Sequence, residues 1–231
     1  AVTAPRPGHA DLPGSIKFGV ENMRNILERA SARTTAPRTL AGALAALVLK
    51  ELGVTVRSAV ESIGGVAASL PAGDDEWHRA ALSDLGVARE EDEPALEARI
   101  TAAAEEETSL GGTFVVSVTG LPAGIGSFTE WDGRLDGRLA GAVMAIPAVK
   151  GVEFGDGFRC AGLPGRDVHD PIFVEDGRWA RKTNHAGGIE GGMSTGQEIF
   201  IRAAMKPIPT MRKGLLSFDT VSGRPSAAHS E

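Results

Sequence analysis

The sequence predicts an α+β fold built on antiparallel sheets. Helical and strand patterns are interspersed along the 231 residues, and the strands fall in short hairpin-like pairs rather than in the order of a doubly wound sheet. Hydrophobic residues make up 42% and charged residues 23%, the balance of a soluble globular protein. That length buries one sizeable core, in one domain or two.

Residues 1–15 hold three prolines and two glycines and read as a loop. Ile16, Val20, Met23, Ile26 and Leu27 have helical spacing, which predicts a helix from about residue 20 to Ser31. Thr34-Thr35 followed by Pro37 reads as a helix start with a threonine N-cap. The run from Leu40 to Leu52 is apolar all round and should lie in a protein interior, ended by Gly53. Val54 to Ile63 alternates like a strand. Residues 71–94 are polar, with a short helix near Asp75 to Leu85, and read as a dispensable insert. Pro94 opens a helix to about Glu107.

Thr113 to Gly120 carries Phe114, Val116 and Val118 on one strand face. After a Pro/Gly turn, Leu135 to Ile146 reads as a helix. Val149 to Phe158 reads as a glycine-broken strand, and Ile172 to Lys182 as a hairpin turning at Asp176-Gly177. Ile199 to Met205 and Leu215 to Val221 are the last predicted strands.

Charge and cysteine content narrow the function. A formal charge of −6 disfavours non-specific nucleic-acid binding, so an anionic ligand needs a local arginine cluster. The single cysteine, Cys160, excludes an internal disulfide and fits a reducing, cytoplasmic compartment. No apolar run approaches the ~20 residues of a membrane span. The start, AVTAPRPGHAD, has no signal-peptide pattern and reads as the middle of a longer chain.

One stretch organises the rest: Thr183 to Thr210, TNHAGGIEGGMSTGQEIFIRAAMKPIPT. Its loop holds Gly187, Gly188, Gly191, Gly192 and Gly196. Such a loop lets backbone N–H groups approach a ligand, and a lysine just past a strand adds a point charge. A phosphorylated, flat cofactor suits that pair. On composition alone, a glycine-rich surface loop followed by an ordinary strand is the favoured reading. GMSTGQ lacks the GK[ST] of a P-loop, which argues against phosphoryl transfer.

His9 lies in Arg-Pro-Gly-His-Ala-Asp, and histidine is the side chain suited to proton transfer near neutrality. A solvated loop histidine is the simpler alternative. Arg6, Arg29 and Arg33 are candidate anion binders. Arg29 and Arg33, four apart, share a face if the helix continues; otherwise they are a basic helix end.

TNHAGGIEGGM with AMKPIPT resembles a chorismate synthase motif. RPGHADLPG at 6–14, LERASAR at 27–33 and AIPAVKGVEFGDGF at 145–158 are similar to three more of that family, in the same order. The resemblance implies a single domain over 1–231, incomplete at both ends. Its fold is a β-α-β sandwich with long central helices between antiparallel sheets. The implied activity is a lyase of the shikimate pathway, which makes the precursor of aromatic amino acids. It converts 5-enolpyruvylshikimate 3-phosphate to chorismate by a 1,4-anti elimination requiring reduced FMN. A homotetramer is implied, with the flavin reduced by NAD(P)H or by a separate reductase. The alternative is a non-catalytic flavin- or anion-binding fragment of the same fold.

By the same resemblance His9 is a proton donor, and Arg6 and Arg33 contact substrate. Arg29, Ala30, Ser31, Pro147, Ala148 and Gly191 line the flavin. Lys206, Pro207, Ile208, Pro209 and Thr210 hold its phosphate. Thr34 stands where the family usually has glutamate, and Glu107-Thr108 where it commonly shows Gly-Asp. The family's Gly-Glu-Ser-His-Gly and Glu-Arg-Ser-Asp motifs are expected to lie outside this stretch.

Overall fold

The computed structural model describes residues 1–230, without the side chain of Ala32. Its helices and strands follow as α1 (Asp11–Phe18), α2 (Arg24–Ala30), α3 (Thr35–Glu51), β1 (Thr55–Ile63), β2 (Val66–Ala67), α4 (Asp74–Leu82), α5 (Glu93–Glu105), β3 (Gly112–Thr119), α6 (Leu135–Met144), β4 (Val149–Phe154), β5 (Ile172–Glu175), β6 (Arg178–Arg181), β7 (Ile189–Glu190), β8 (Met193–Ser194), β9 (Ile199–Met205), β10 (Leu216–Phe218) and β11 (Pro225–Ala227).

The α+β class with antiparallel pairing is as predicted. The main sheet has the order β2-β1-β3-β9-β4, every pair antiparallel, and three two-stranded ribbons stand beside it. Successive side chains alternate between its faces. Ala59 and Val115 pack with Trp77 and Ala80 of α4 on one face, with Phe200 alongside. Ile199 and Ile201 pack with Val116, Val118, Leu135 and Leu139 on the other, under α6. Residues 71–94 therefore contribute to the core rather than forming an idle insert: Val87 and Ala88 are also buried.

Two helical expectations need correction. The loop predicted at the start contains α1, because a proline in the first helical turn loses no hydrogen bond. Gly19, in the left-handed conformation at φ 63°, closes it, and α2 starts only at Arg24. The second concerns α3. Thr34 gives it no side-chain cap; its hydroxyl donates to Ser31 O instead. None of the α3 residues is buried, and Leu44 is 61% exposed. Apolarity on all sides shows that a helix favours cover, and no described element supplies it here.

The first residues of the chain meet the β10–β11 ribbon. Thr220 N–H donates to Thr3 O at 3.0 Å, and Ser217 Oγ to Pro5 O at 2.6 Å. The β10–β11 ribbon thus braces the loop that carries Arg6 and His9. No helix of the described residues is long and apolar enough to cross a membrane.

Candidate functional site

Four chain segments converge beside the ends of β4 and β9. They are the 6–10 loop, the α2 end with the turn after it, residues 146–148, and residues 205–210. They enclose a cleft of about 670 Å³. Antiparallel pairing of Val149 with Met205 brings the last two together. Lys206 N–H then donates to Ala148 O at 2.9 Å. Ala148 has φ 71°, a conformation that costs a residue with a Cβ about 1–2 kcal/mol. Non-glycine strain of this kind concentrates at functional sites.

The polar centre is built around a residue the sequence reading passed over. Asp11 is fully buried at the start of α1, and Arg6 is 5% exposed. Arg6 Nε donates to Asp11 Oδ2 at 2.8 Å and Nη2 to Oδ1 at 3.1 Å, a two-pronged pair. Arg6 N–H also donates to Oδ2 at 3.1 Å. His9 Nδ1 stands 2.5 Å from Asp11 Oδ1. Burial pushes the Asp11 carboxyl up, but the hydrogen bonds from the Arg6 side chain and backbone and from His9 outweigh it and hold it below the usual range. The remaining Arg6 nitrogen, Nη1, donates to Thr210 Oγ1 at 2.7 Å and ties the 6–10 loop to the end of the Lys206 segment.

The other cations differ in their freedom. Lys206 donates its ammonium to Gly8 O at 2.9 Å, so its charge there is met by a carbonyl rather than a carboxylate. Arg33 is mostly exposed and reaches Glu28 Oε2 at 2.6 Å. Glu28, within LERASAR, supplies Arg33 with a partner although Thr34 stands where the family usually has glutamate. Among the described residues no His, Cys, Asp and Glu cluster could hold a metal ion.

The cleft gathers Arg6, His9, Ala30, Ser31, Arg33, Pro147, Ala148, Lys206, Ile208, Pro209 and Thr210. Arg29, Pro207 and Gly191 do not line it. Arg29 and Arg33 share no helix face, because α2 ends at Ala30 and Ser31 is extended. Gly191 lies in the β7–β8 turn. The glycine loop is built for backbone packing. A Cβ on Gly187 would lie 2.2 Å from Gly155 N, and one on Gly188 2.3 Å from Glu198 O. Those glycines let the loop seat against β4 and β9, and the cleft takes its walls from elsewhere.

The chorismate synthase family model matches residues 1–231. The chain belongs to the chorismate synthase family. It is 48% identical over 232 residues to a chorismate synthase of Carboxydothermus hydrogenoformans, covering all of this chain and 60% of the relative. It is 50% identical over 222 residues to that of Syntrophotalea carbinolica, covering 95% of this chain and 57% of the relative. A crystal structure of chorismate synthase superposes with a TM-score of 0.82 at 41% identity, over 87% of this chain and 63% of that one. The chain thus spans about 60% of the length of the curated chorismate synthases it matches.

Proposed function

We propose that residues 1–231 form a single chorismate synthase-like domain. Its cleft serves the elimination of phosphate from 5-enolpyruvylshikimate 3-phosphate, giving chorismate, with reduced FMN bound. The observation that carries this reading is the convergence on one cleft of Arg6 and His9 from one loop with Lys206 from a segment about two hundred residues away. The cleft's own chemistry fits the flavin. Ile146, Pro147, Ala148, Ile208 and Pro209 offer an apolar wall for a flat ring, and Lys206 with the Ser31 hydroxyl suits a phosphate. When bound, reduced FMN supplies electron density for the breaking C–O bond.

The chain's residues then divide the work. Lys206 holds the flavin phosphate, joined by the 207–210 segment. Arg6 and Arg33 orient the anionic substrate and favour departure of its phosphate. His9, once protonated on both ring nitrogens, donates a proton through Nε2, the nitrogen not taken by Asp11. Arg29 and Gly191, placed outside this cleft, belong to the flavin's wider surroundings. The proposed assembly is a cytoplasmic homotetramer, whose mass a light-scattering measurement reads directly.

Flavin titration followed by phosphate release tests the reading. FMN should quench on binding this chain, and an active enzyme carrying the chain should release phosphate from the substrate under reducing conditions. Flavin bound without phosphate release would favour the non-catalytic alternative; no flavin binding would refute the flavin site on either reading.

Two substitutions refine it. Lys206→Ala should weaken FMN binding by about 1.5–3 kcal/mol, roughly 10- to 150-fold, and riboflavin binding little. Equal losses for both ligands would remove Lys206 from the phosphate. Arg33→Lys keeps the charge but loses the fork, and should cost substrate binding about 1.5 kcal/mol by calorimetry. Unchanged affinity would leave Arg33 as a partner of Glu28 only.

A further inference from the structure

Both oxygens of Asp11 face donors. Oδ2 accepts from Arg6 N and Nε, and Oδ1 from Arg6 Nη2. His9 Nδ1 lies 2.5 Å from Oδ1 and 3.0 Å from Arg6 Nη2. A carboxylate only accepts and a guanidinium only donates. Nδ1 therefore satisfies the shorter contact only by carrying a proton and donating it to Asp11. The guanidinium nitrogen beside it is then a neighbour on the same acceptor. Among the described residues His9 Nε2 makes no comparable contact; its distance to Arg6 Nη2 is 3.5 Å.

We infer that Asp11 is the positioning residue that fixes the tautomer of His9, holding the proton on Nδ1 and leaving Nε2 for proton exchange in the cleft. The inference rests on the reading of His9 as the proton-transfer group. Arg6 is the second half of the device. Its fork holds the carboxylate in one rotamer, so the imidazole meets a fixed acceptor rather than a swinging one. The same carboxylate serves as counter-ion when His9 takes up a proton, with no rearrangement of the buried groups.

Asp11→Asn separates this role from simple packing. The amide must place one NH₂ group against donors. Toward Arg6 N and Nε it would break two hydrogen bonds, one of them from a charged group. Toward His9 it would break one, from Arg6 Nη2, and the NH₂ is satisfied if the imidazole moves its proton to Nε2 and Nδ1 accepts. The second choice costs less, so the substitution should switch the tautomer.

The test is two-bond ¹H–¹⁵N correlation spectroscopy of the histidine rings in the 231-residue chain, above the titration range of the imidazole. His9→Ala assigns the His9 signal. Wild type should show the Nδ1–H form and Asp11→Asn the Nε2–H form. In an active enzyme carrying the chain, kcat for Asp11→Asn should fall by up to about 10⁴-fold, the loss a wrong tautomer causes in a Ser-His-Asp triad, with KM far less changed. An Nε2–H tautomer in wild type overturns the inference even if the variant fails to fold. An unchanged tautomer and kcat in a folded Asp11→Asn protein overturn it as well. Normal turnover by His9→Ala would instead overturn the reading of His9 on which it rests.

Discussion

His9→Ala, in an active enzyme carrying this chain, is expected to lower turnover by about 10²–10⁴-fold. The imidazole is held at the cleft by Asp11 and is mostly covered, with 12% of its side chain exposed. On the proposed reading its loss removes a proton-transfer group and one hydrogen-bond partner of Asp11, but none of the flavin's proposed contacts, which come from the Lys206 segment. FMN affinity should therefore change far less than rate. Rapid-mixing kinetics across pH 6–8, with FMN titrations of the same protein, measure both. An unchanged rate over that range would reduce His9 to a structural neighbour of Asp11. A parallel fall in flavin affinity would move it into the binding wall.

Arg6→Met is expected to destabilise the chain by about 3–5 kcal/mol, the cost of leaving one member of a buried ion pair without its partner. The two side chains are 4% and 0% exposed, so solvent screening offers little relief. The pH dependence follows from the sign of the Asp11 shift. Its carboxyl is held below the ordinary value, so the pair's contribution is present above about pH 3.9. It fades as pH falls through the lower native value. The penalty of Arg6→Met should shrink over that same acid window, where Asp11 becomes neutral. Urea denaturation at neutral and acid pH measures it. A loss below about 1 kcal/mol at neutral pH would show that the pair contributes no more than a surface ion pair.

Much of the local structure was legible in the sequence. β9 runs over Ile199–Met205 as its apolar run predicts, and β5 and β6 turn at Asp176-Gly177. Pro94 lies in the first turn of α5. These signals are local: alternation, a left-handed turn, and a proline that forfeits no hydrogen bond. The motif residues His9, Arg6 and Lys206 were legible for a different reason, since resemblance carries a residue's position without its geometry.

Tertiary structure decided what depends on partners distant in sequence. Asp11 stands two residues after His9 in plain view. Its meaning required the Arg6 fork, and Thr210 to hold the other end of that fork across 204 residues. The glycine loop invited a ligand because glycine permits close approach by any backbone; here the approaching backbone is the protein's own, at Gly155 and Glu198. Arg29 and Arg33 have helical spacing, yet the extended Ser31 turns the chain between them. The apolar run of α3 fixed a helix and its preference for burial, while cover depends on what packs over it. Most segments that coil, extend or turn could be read from the residues alone, because those preferences act over a few positions. Which side chains share a cleft could not be read that way, because hydrogen bonding and burial act through space between residues that the chain keeps far apart.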